Sequence, residues 1–136
     1  MHSIGESLTY HHSAILVKNM QEAVENYAAL FGAGAVSQVY SISSQLVNVC
    51  FVSTGNNTNI ELVQPFAGNN AFDAYFKRGI HYYHIAYKAQ NFDEATEQLV
   101  TAGYRLLNTF FSEAFNNKRC AFLLTPQGHL TEIIEA

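Results

Sequence analysis

Two histidines and two glutamates recur at matched places in this 136-residue chain, and their side chains make a donor set for a metal ion. His12 and His84 lie 72 positions apart, and at the same offset Ala14 meets Ala86, Asn19 meets Asn91, Glu22 meets Glu94 and Ala23 meets Ala95. Cys50-Phe51-Val52-Ser53-Thr54 falls without a gap, 71 positions on, upon Ala121-Phe122-Leu123-Leu124-Thr125, and Glu61 then meets Glu132. The His-to-Glu separations are 49 and 48 residues. Two such halves related by a pseudo-twofold axis would bring two imidazoles and two carboxylates together. Nitrogen and oxygen donors of this kind suit first-row divalent metals and leave one or two positions of an octahedron open for water or substrate. The expected cofactor is one divalent ion, and cobalt, nickel, manganese, zinc and magnesium are all compatible. Taken singly, each His could be a satisfied core residue and each Glu a solvated strand end. Four of them at equivalent repeat positions are a poor fit to that explanation.

These donors need strands to aim them. Residues 8–17 and 80–89 are rich in β-branched and aromatic side chains and alternate, with His12, Ala14 and Leu16 on one face and Ser13, Ile15 and Val17 on the other. A helix is predicted after each. Asn19 and Asn91 are good N-caps, with Glu22 and Glu94 at capping-box spacing, and Gly32 and Gly103 end the apolar periodicity. Strand-like runs follow at 35–40, 46–54 and 59–64, and again at 104–111, 119–125 and 130–135. Gly55-Asn56-Asn57 and Pro126-Gln127-Gly128 carry hairpin turn chemistry. The fold class expected is α+β: two tandem βαβββ modules, 8–66 and 80–136, joined by a linker helix at 71–78 within a single domain, 1–136. Side by side they form one eight-stranded curved mixed sheet, with helices on the convex side and a concave metal-binding cup. Alternation sends Ile60 and Leu62 toward the helices, and Glu61 and Val63 into the cup; Glu132 and Ile134 repeat this.

The totals narrow the function. A chain of this length forms a real core, burying about 68% of its unfolded surface. The net charge of −4 argues against broad nucleic-acid binding, which needs a basic stripe. No apolar run is long enough for a membrane helix, and the first residues have neither a basic start nor an apolar stretch of signal-peptide type. A soluble, cytoplasmic protein is expected, with Cys50 and Cys120 as buried thiols rather than a disulfide. Gln45 and Asn48 could reach the cup as polar orienting groups, and exposed strand amides explain them equally well. Lys118 and Arg119 could hold a phosphate or carboxylate tail, but an ordinary solvated pair explains them better. His11 and His81 do not repeat each other in register and are expected at the surface or behind the ligands; His2 and His129 read as loop residues.

The run His11-His12-Ser13-Ala14-Ile15-Leu16-Val17-Lys18-Asn19 through Ala23 resembles H-H-x-A-I-x-V-x-D-x-x-x-A, the opening of the glyoxalase / bleomycin-resistance / dioxygenase group, or vicinal oxygen chelate superfamily. Ile60-Glu61-Leu62-Val63-Gln64-Pro65 is similar to I-E-L-L-E-P, and Tyr83-His84-Ile85-Ala86-Tyr87 to H-H-I-A-F. Lys118-Arg119-Cys120-Ala121-Phe122-Leu123 is similar to K-R-I-A-F-L, and Leu130-Thr131-Glu132-Ile133-Ile134-Glu135 to L-I-E-L-V-E. The likeness covers nearly the whole chain and is strongest to the methylmalonyl-CoA epimerase branch, which is also described as lactoylglutathione-lyase-like. It implies a glyoxalase-like fold, with metal ligands at His12, Glu61, His84 and Glu132. Phe115-Asn116-Asn117 stands where the epimerases usually have a Gly-rich segment, and Pro126-Gln127-Gly128-His129 where they have a longer hairpin. Asn48, which cannot take a proton, stands where some of them place an acidic base.

The chemistry the resemblance implies is abstraction of a proton alpha to a carbonyl, through a metal-stabilised enediolate. A ligand carboxylate that swings off the metal can be the base; Glu132 is the first choice and Glu61 the second. The leading expectation is an epimerase or isomerase of the methylmalonyl-CoA type, acting on a small acyl thioester. A glyoxalase I-like lactoylglutathione lyase, acting on a hemithioacetal, comes next. A non-catalytic, resistance-type binding protein is the alternative from another class. A ring-cleaving dioxygenase is disfavoured, because Glu61 would fill the fourth position around its iron. A homodimer is expected.

Overall fold

The structure, a computed structural model, describes residues 4–136, so His2 lies outside the described residues. A 3-10 turn, Ile4–Ser7, leads into β1 (Leu8–Leu16), α1 (Met20–Phe31) and a second 3-10 turn, Ala33–Ala35. There follow β2 (Tyr40–Ile42), β3 (Val47–Gly55), β4 (Thr58–Pro65), α2 (Asp73–Lys77), β5 (Tyr82–Ala89), α3 (Phe92–Thr101) and β6 (Arg105–Ser112). After a last 3-10 turn, Glu113–Phe115, the chain ends in β7 (Lys118–Leu124) and β8 (Leu130–Glu135). The eight strands run in the order β2-β3-β4-β1-β5-β8-β7-β6, in which β5 and β8 are parallel while β3–β4 and β7–β8 are antiparallel. This is the mixed, α+β, twice-repeated βαβββ arrangement that the spacing predicts. No helix among the described residues is long and apolar enough to cross a membrane.

The helix starts are built as expected. The Asn19 side chain accepts the backbone N–H of Glu22 at 3.0 Å and the Asn91 side chain that of Glu94 at 3.1 Å, each satisfying one of the orphan donors of a first turn. Gly32, at φ 94° and ψ 148°, ends α1 in a conformation open only to glycine. The β3–β4 hairpin turns on Asn56 and Asn57, both at positive φ, the two-residue turn whose twist matches the strands.

Two compact units emerge, and their boundaries are not those of the repeat: one holds residues up to His12 with His84–Ala136, the other Ser13–Tyr83. The N-terminal segment joins the second module because Ile4 and Leu8 pack on the cluster of Ala89, Phe92, Ala95, Leu99, Ala121, Leu123 and Ile133 beneath α3. In the other unit, Met20 of α1 packs on Cys50, Val52 and Leu62.

Two elements differ from the sequence reading. The strand expected at 35–40 is reduced to a 3-10 turn and a single bridge, Val36 to Val52, because Ser37 takes over the hydrogen bonding: its N–H donates to the Phe51 carbonyl and its Oγ accepts the Phe51 N–H. The helix expected at 71–78 is five residues long, Asp73–Lys77: the Asn69 side chain accepts the Ala71 N–H and holds that segment in a turn, and Gly79 at φ 69° follows its end.

Candidate metal centre

Alternation along the strands sorts the site of the first unit. Glu132 of β8 pairs with Phe122 of β7 and Ala86 of β5, so these side chains share one face, as does His84, two residues before Ala86. The opposite face carries Ala121, Leu123 and Ile133 against α3. On the ligand-bearing face His12 Nε2 lies 3.2 Å from His84 Nε2, and Glu132 Oε1 lies 3.3 Å from each of those nitrogens. The three donors thus form a nearly equilateral triangle. His12 is 0%, His84 2% and Glu132 4% exposed, far below what an unmated His or Glu shows.

The triangle fits a metal. With ligands about 2.1 Å from a cation, neighbouring donors stand about 3.0 Å apart in an octahedron and about 3.4 Å apart in a tetrahedron, a range that brackets the observed edges. If both imidazoles are neutral with their protons on Nδ1, three lone pairs converge on one point, and a divalent ion is what such a donor set holds.

The surroundings are apolar. Phe122 meets the His84 ring edge-on at 5.2 Å and stacks on Phe110 at 5.2 Å; Phe115 stacks over His12 at 6.3 Å. Ala86, Cys120 and Ile134 form the next layer, with Phe110 and Phe115 against it. Walls of this kind exclude water and strengthen every charge interaction inside them. The sequence reading missed this aromatic wall, although Phe110 and Phe115 lie in one aromatic run. It also missed Ser112, a buried hydroxyl on the same face of β6 that has no hydrogen-bond partner among the described residues.

Glu61, in the other unit, is 5% exposed on β4 and pairs with Phe51; with Val63 it occupies the face opposite Ile60 and Leu62, which pack toward α1. Gln45 sits in the turn before β3, its N–H on the Ile42 carbonyl. Asn48 alternates with Cys50 and Val52 onto the α1 face, away from the Glu61 face, and its Oδ1 accepts from Ser41 Oγ at 2.7 Å. Its expected place among the orienting groups of the cup is therefore corrected. Lys118 and Arg119 are separated by the same alternation. Lys118 is exposed on the ligand-bearing face, opposite Ser112. Arg119 lies on the α3 face, over the Phe92 ring at 4.6 Å, with Asp93 at 2.9 Å and Glu135 at 3.1 Å. These hydrogen bonds, first to Asp93 and then to Glu135, raise the Arg119 pKa, and the same guanidinium holds the Glu135 carboxyl below its ordinary range. Arg119 is a clasp between α3 and β8, not an anion trap. His81 donates from Nδ1 to the Leu16 carbonyl at 2.8 Å, a structural tie.

The chain belongs to the Glyoxalase/Bleomycin resistance protein/Dioxygenase superfamily, whose sequence profile matches residues 11–122. His12, Glu61 and His84 fall inside that match, and Glu132 lies beyond it. Among particular relatives, the chain is 28% identical over 130 residues to a mitochondrial methylmalonyl-CoA epimerase of Dictyostelium discoideum, spanning 91% of this chain and 76% of that protein. Its fold is similar to that of methylmalonyl-CoA epimerase from Mycobacterium tuberculosis, with a TM-score of 0.78 and 22% identity over 93% of this chain and 86% of that one. A Streptomyces coelicolor methylmalonyl-CoA epimerase in complex with 2-nitronate-propionyl-CoA is similar as well, with a TM-score of 0.76 and 22% identity over 94% of both chains.

Proposed function

We propose that the protein is a divalent-metal-dependent epimerase that moves a proton alpha to the carbonyl of a small acyl thioester; the relatives it resembles are named methylmalonyl-CoA epimerases. The observation that carries this reading is the buried triangle of His12, His84 and Glu132 with edges of 3.2–3.3 Å. Glu61, buried and equivalent to Glu132 in the repeat, is the fourth donor in this reading. A divalent cation held there supplies positive charge that offsets the negative charge an enediolate develops on oxygen.

The protein's own groups do the rest. One carboxylate, Glu132, takes the alpha proton, the C–H electron pair passing to the carbonyl; Glu61 returns a proton to the same carbon from the other face, which inverts it. Phe110, Phe115 and Phe122 hold the acyl group and keep water from the carbanionic carbon. Gln45 and Lys118 remain for the polar end of the substrate, Lys118 suiting a phosphate or carboxylate. Cys50 and Cys120, both buried thiols, suit a reducing compartment such as the cytoplasm. A homodimer fits the edge strand β6, where Leu106, Leu107 and Phe111 are exposed; an apolar edge of this kind pairs readily with a second chain.

The test is deuterium incorporation at the alpha carbon of a panel of acyl thioesters and hemithioacetals, with metal added back to the metal-free protein. Exchange on a 2-methyl-branched acyl thioester, abolished by chelator, is the expected result. Turnover confined to hemithioacetals would shift the assignment to a glyoxalase-type lyase. Stoichiometric metal without exchange on any compound would leave a binding protein.

A further inference from the structure

Neighbouring residues of a strand point to opposite faces of its sheet, so His11 and His12 ought to be kept apart by the backbone. They are not. His11 Nδ1 lies 2.7 Å from His12 Nδ1, with the rings nearly perpendicular at 81° and their centroids 5.0 Å apart. At that separation one nitrogen must carry a proton and the other must accept it, since two bare nitrogens, or two N–H groups, would repel.

The other side of His12 decides which does which. His12 Nε2 faces His84 Nε2 and Glu132 Oε1, so as a metal ligand it is bare at Nε2 and protonated at Nδ1. The His12 Nδ1–H then donates to His11 Nδ1, and the proton of His11 sits on its own Nε2. Phe115 fixes both rings, edge-on against His11 at 5.3 Å and stacked over His12. The segment that carries Phe115 is itself held: Asn116 and Asn117 are both left-handed, and the Asn117 N–H donates to the Ser112 carbonyl at 2.8 Å. The repeat supplies a control, because the position equivalent to His11 in the second module is Tyr83. The βαβββ fold therefore does not itself require a histidine there.

We infer that His11 is a positioning residue of the metal centre: a neutral acceptor that locks His12 in the tautomer with Nε2 free to coordinate. Metal-bound imidazoles usually hold such a partner in a carboxylate, a carbonyl or a water. A neutral imidazole does the same work without adding a negative charge to a donor set that already has its carboxylates. This inference rests on the metal centre proposed above.

Calorimetric titration of the metal-free protein with zinc chloride tests it on wild type, His11→Phe and His11→Gln. Phe keeps the ring contact with Phe115 and removes the acceptor, and binding is expected to weaken about 10–100-fold. Gln offers an amide oxygen to the same N–H and is expected to stay within about threefold of wild type. Unchanged affinity in His11→Phe, or equal losses in both variants, overturns the role of His11 while leaving the metal centre standing. Wild-type protein that takes up no zinc overturns the metal centre instead. Long-range 1H–15N spectra of the wild type give a readout independent of the variants' folding: His12 protonated on Nδ1 and His11 on Nε2 support the inference, and a proton on His11 Nδ1 overturns it.

Discussion

Glu132 is 4% exposed and its Oε1 lies 3.3 Å from two imidazole nitrogens, so a negative charge there is balanced inside the protein, by a proton on the carboxyl or an imidazole or by a cation among the three. The two cases part at His84→Ala. If a cation balances the charge, the loss of one ligand weakens metal binding by more than the roughly 10–100-fold that supporting residues cost, and metal content after dialysis falls to background. If a proton does, neither wild type nor variant retains metal. That His12, His84 and Glu132 would be drawn together was legible in the sequence because each type of side chain occurs twice, at offsets of 72 and 71. The contact of His11 with His12 was not, since alternation alone puts them on opposite faces. Nor was the grip of Arg119 on Asp93 and Glu135, which depends on how α3 and β8 lie beside β7. Arg119 gives a second prediction. Its hydrogen bonds lower the pKa of Glu135 from an ordinary value of 4.5, so the unfolded chain binds that proton more readily than the folded one. The stabilisation is present above that value and is lost as pH falls through the depressed one. Glu135→Gln should flatten this acid limb in urea titrations run between pH 6 and pH 3, with little change in its slope at neutral pH.

At the scale of elements, the helices that back the two ligand-bearing regions each start on one asparagine. Asn19→Ala and Asn91→Ala each strand a first-turn N–H and should cost about 1 kcal/mol, read as a lower denaturation midpoint with an unchanged m-value. Gly in place of either should cost only a few tenths, which separates capping from packing. These caps were legible because the signal is local: an Asn followed three residues later by a Glu, ahead of an apolar period. Both predicted hairpins were legible for the same reason. The run at 35–40 was misread because its pattern is strand-like while its partner is a side chain: Ser37 Oγ accepts the Phe51 N–H that a full ladder would have used. A short-range pattern does not reveal that a hydroxyl fourteen residues away will take a place in the sheet.

At the scale of the whole molecule, the duplication sets its donors far apart in the chain, with His12 and Glu132 separated by 120 positions. In the unfolded state, bringing such distant groups around one ion costs the closure entropy of a long loop, so a cation binds the folded chain almost alone. Binding of that kind adds stability by mass action: at a free metal concentration one hundred times Kd the gain is about 2.7 kcal/mol. For a chain of this size that raises Tm by roughly 10 °C. Scanning calorimetry of the metal-free protein should show this rise on addition of the ion and its reversal by chelator, with almost none in His84→Ala. The size of the rise should grow with the logarithm of metal concentration, as linkage to a single site demands. A Tm that ignores the metal in wild type would mean that the buried triangle is held by protons, and that the proton chemistry proposed for Glu132 has no cation behind it.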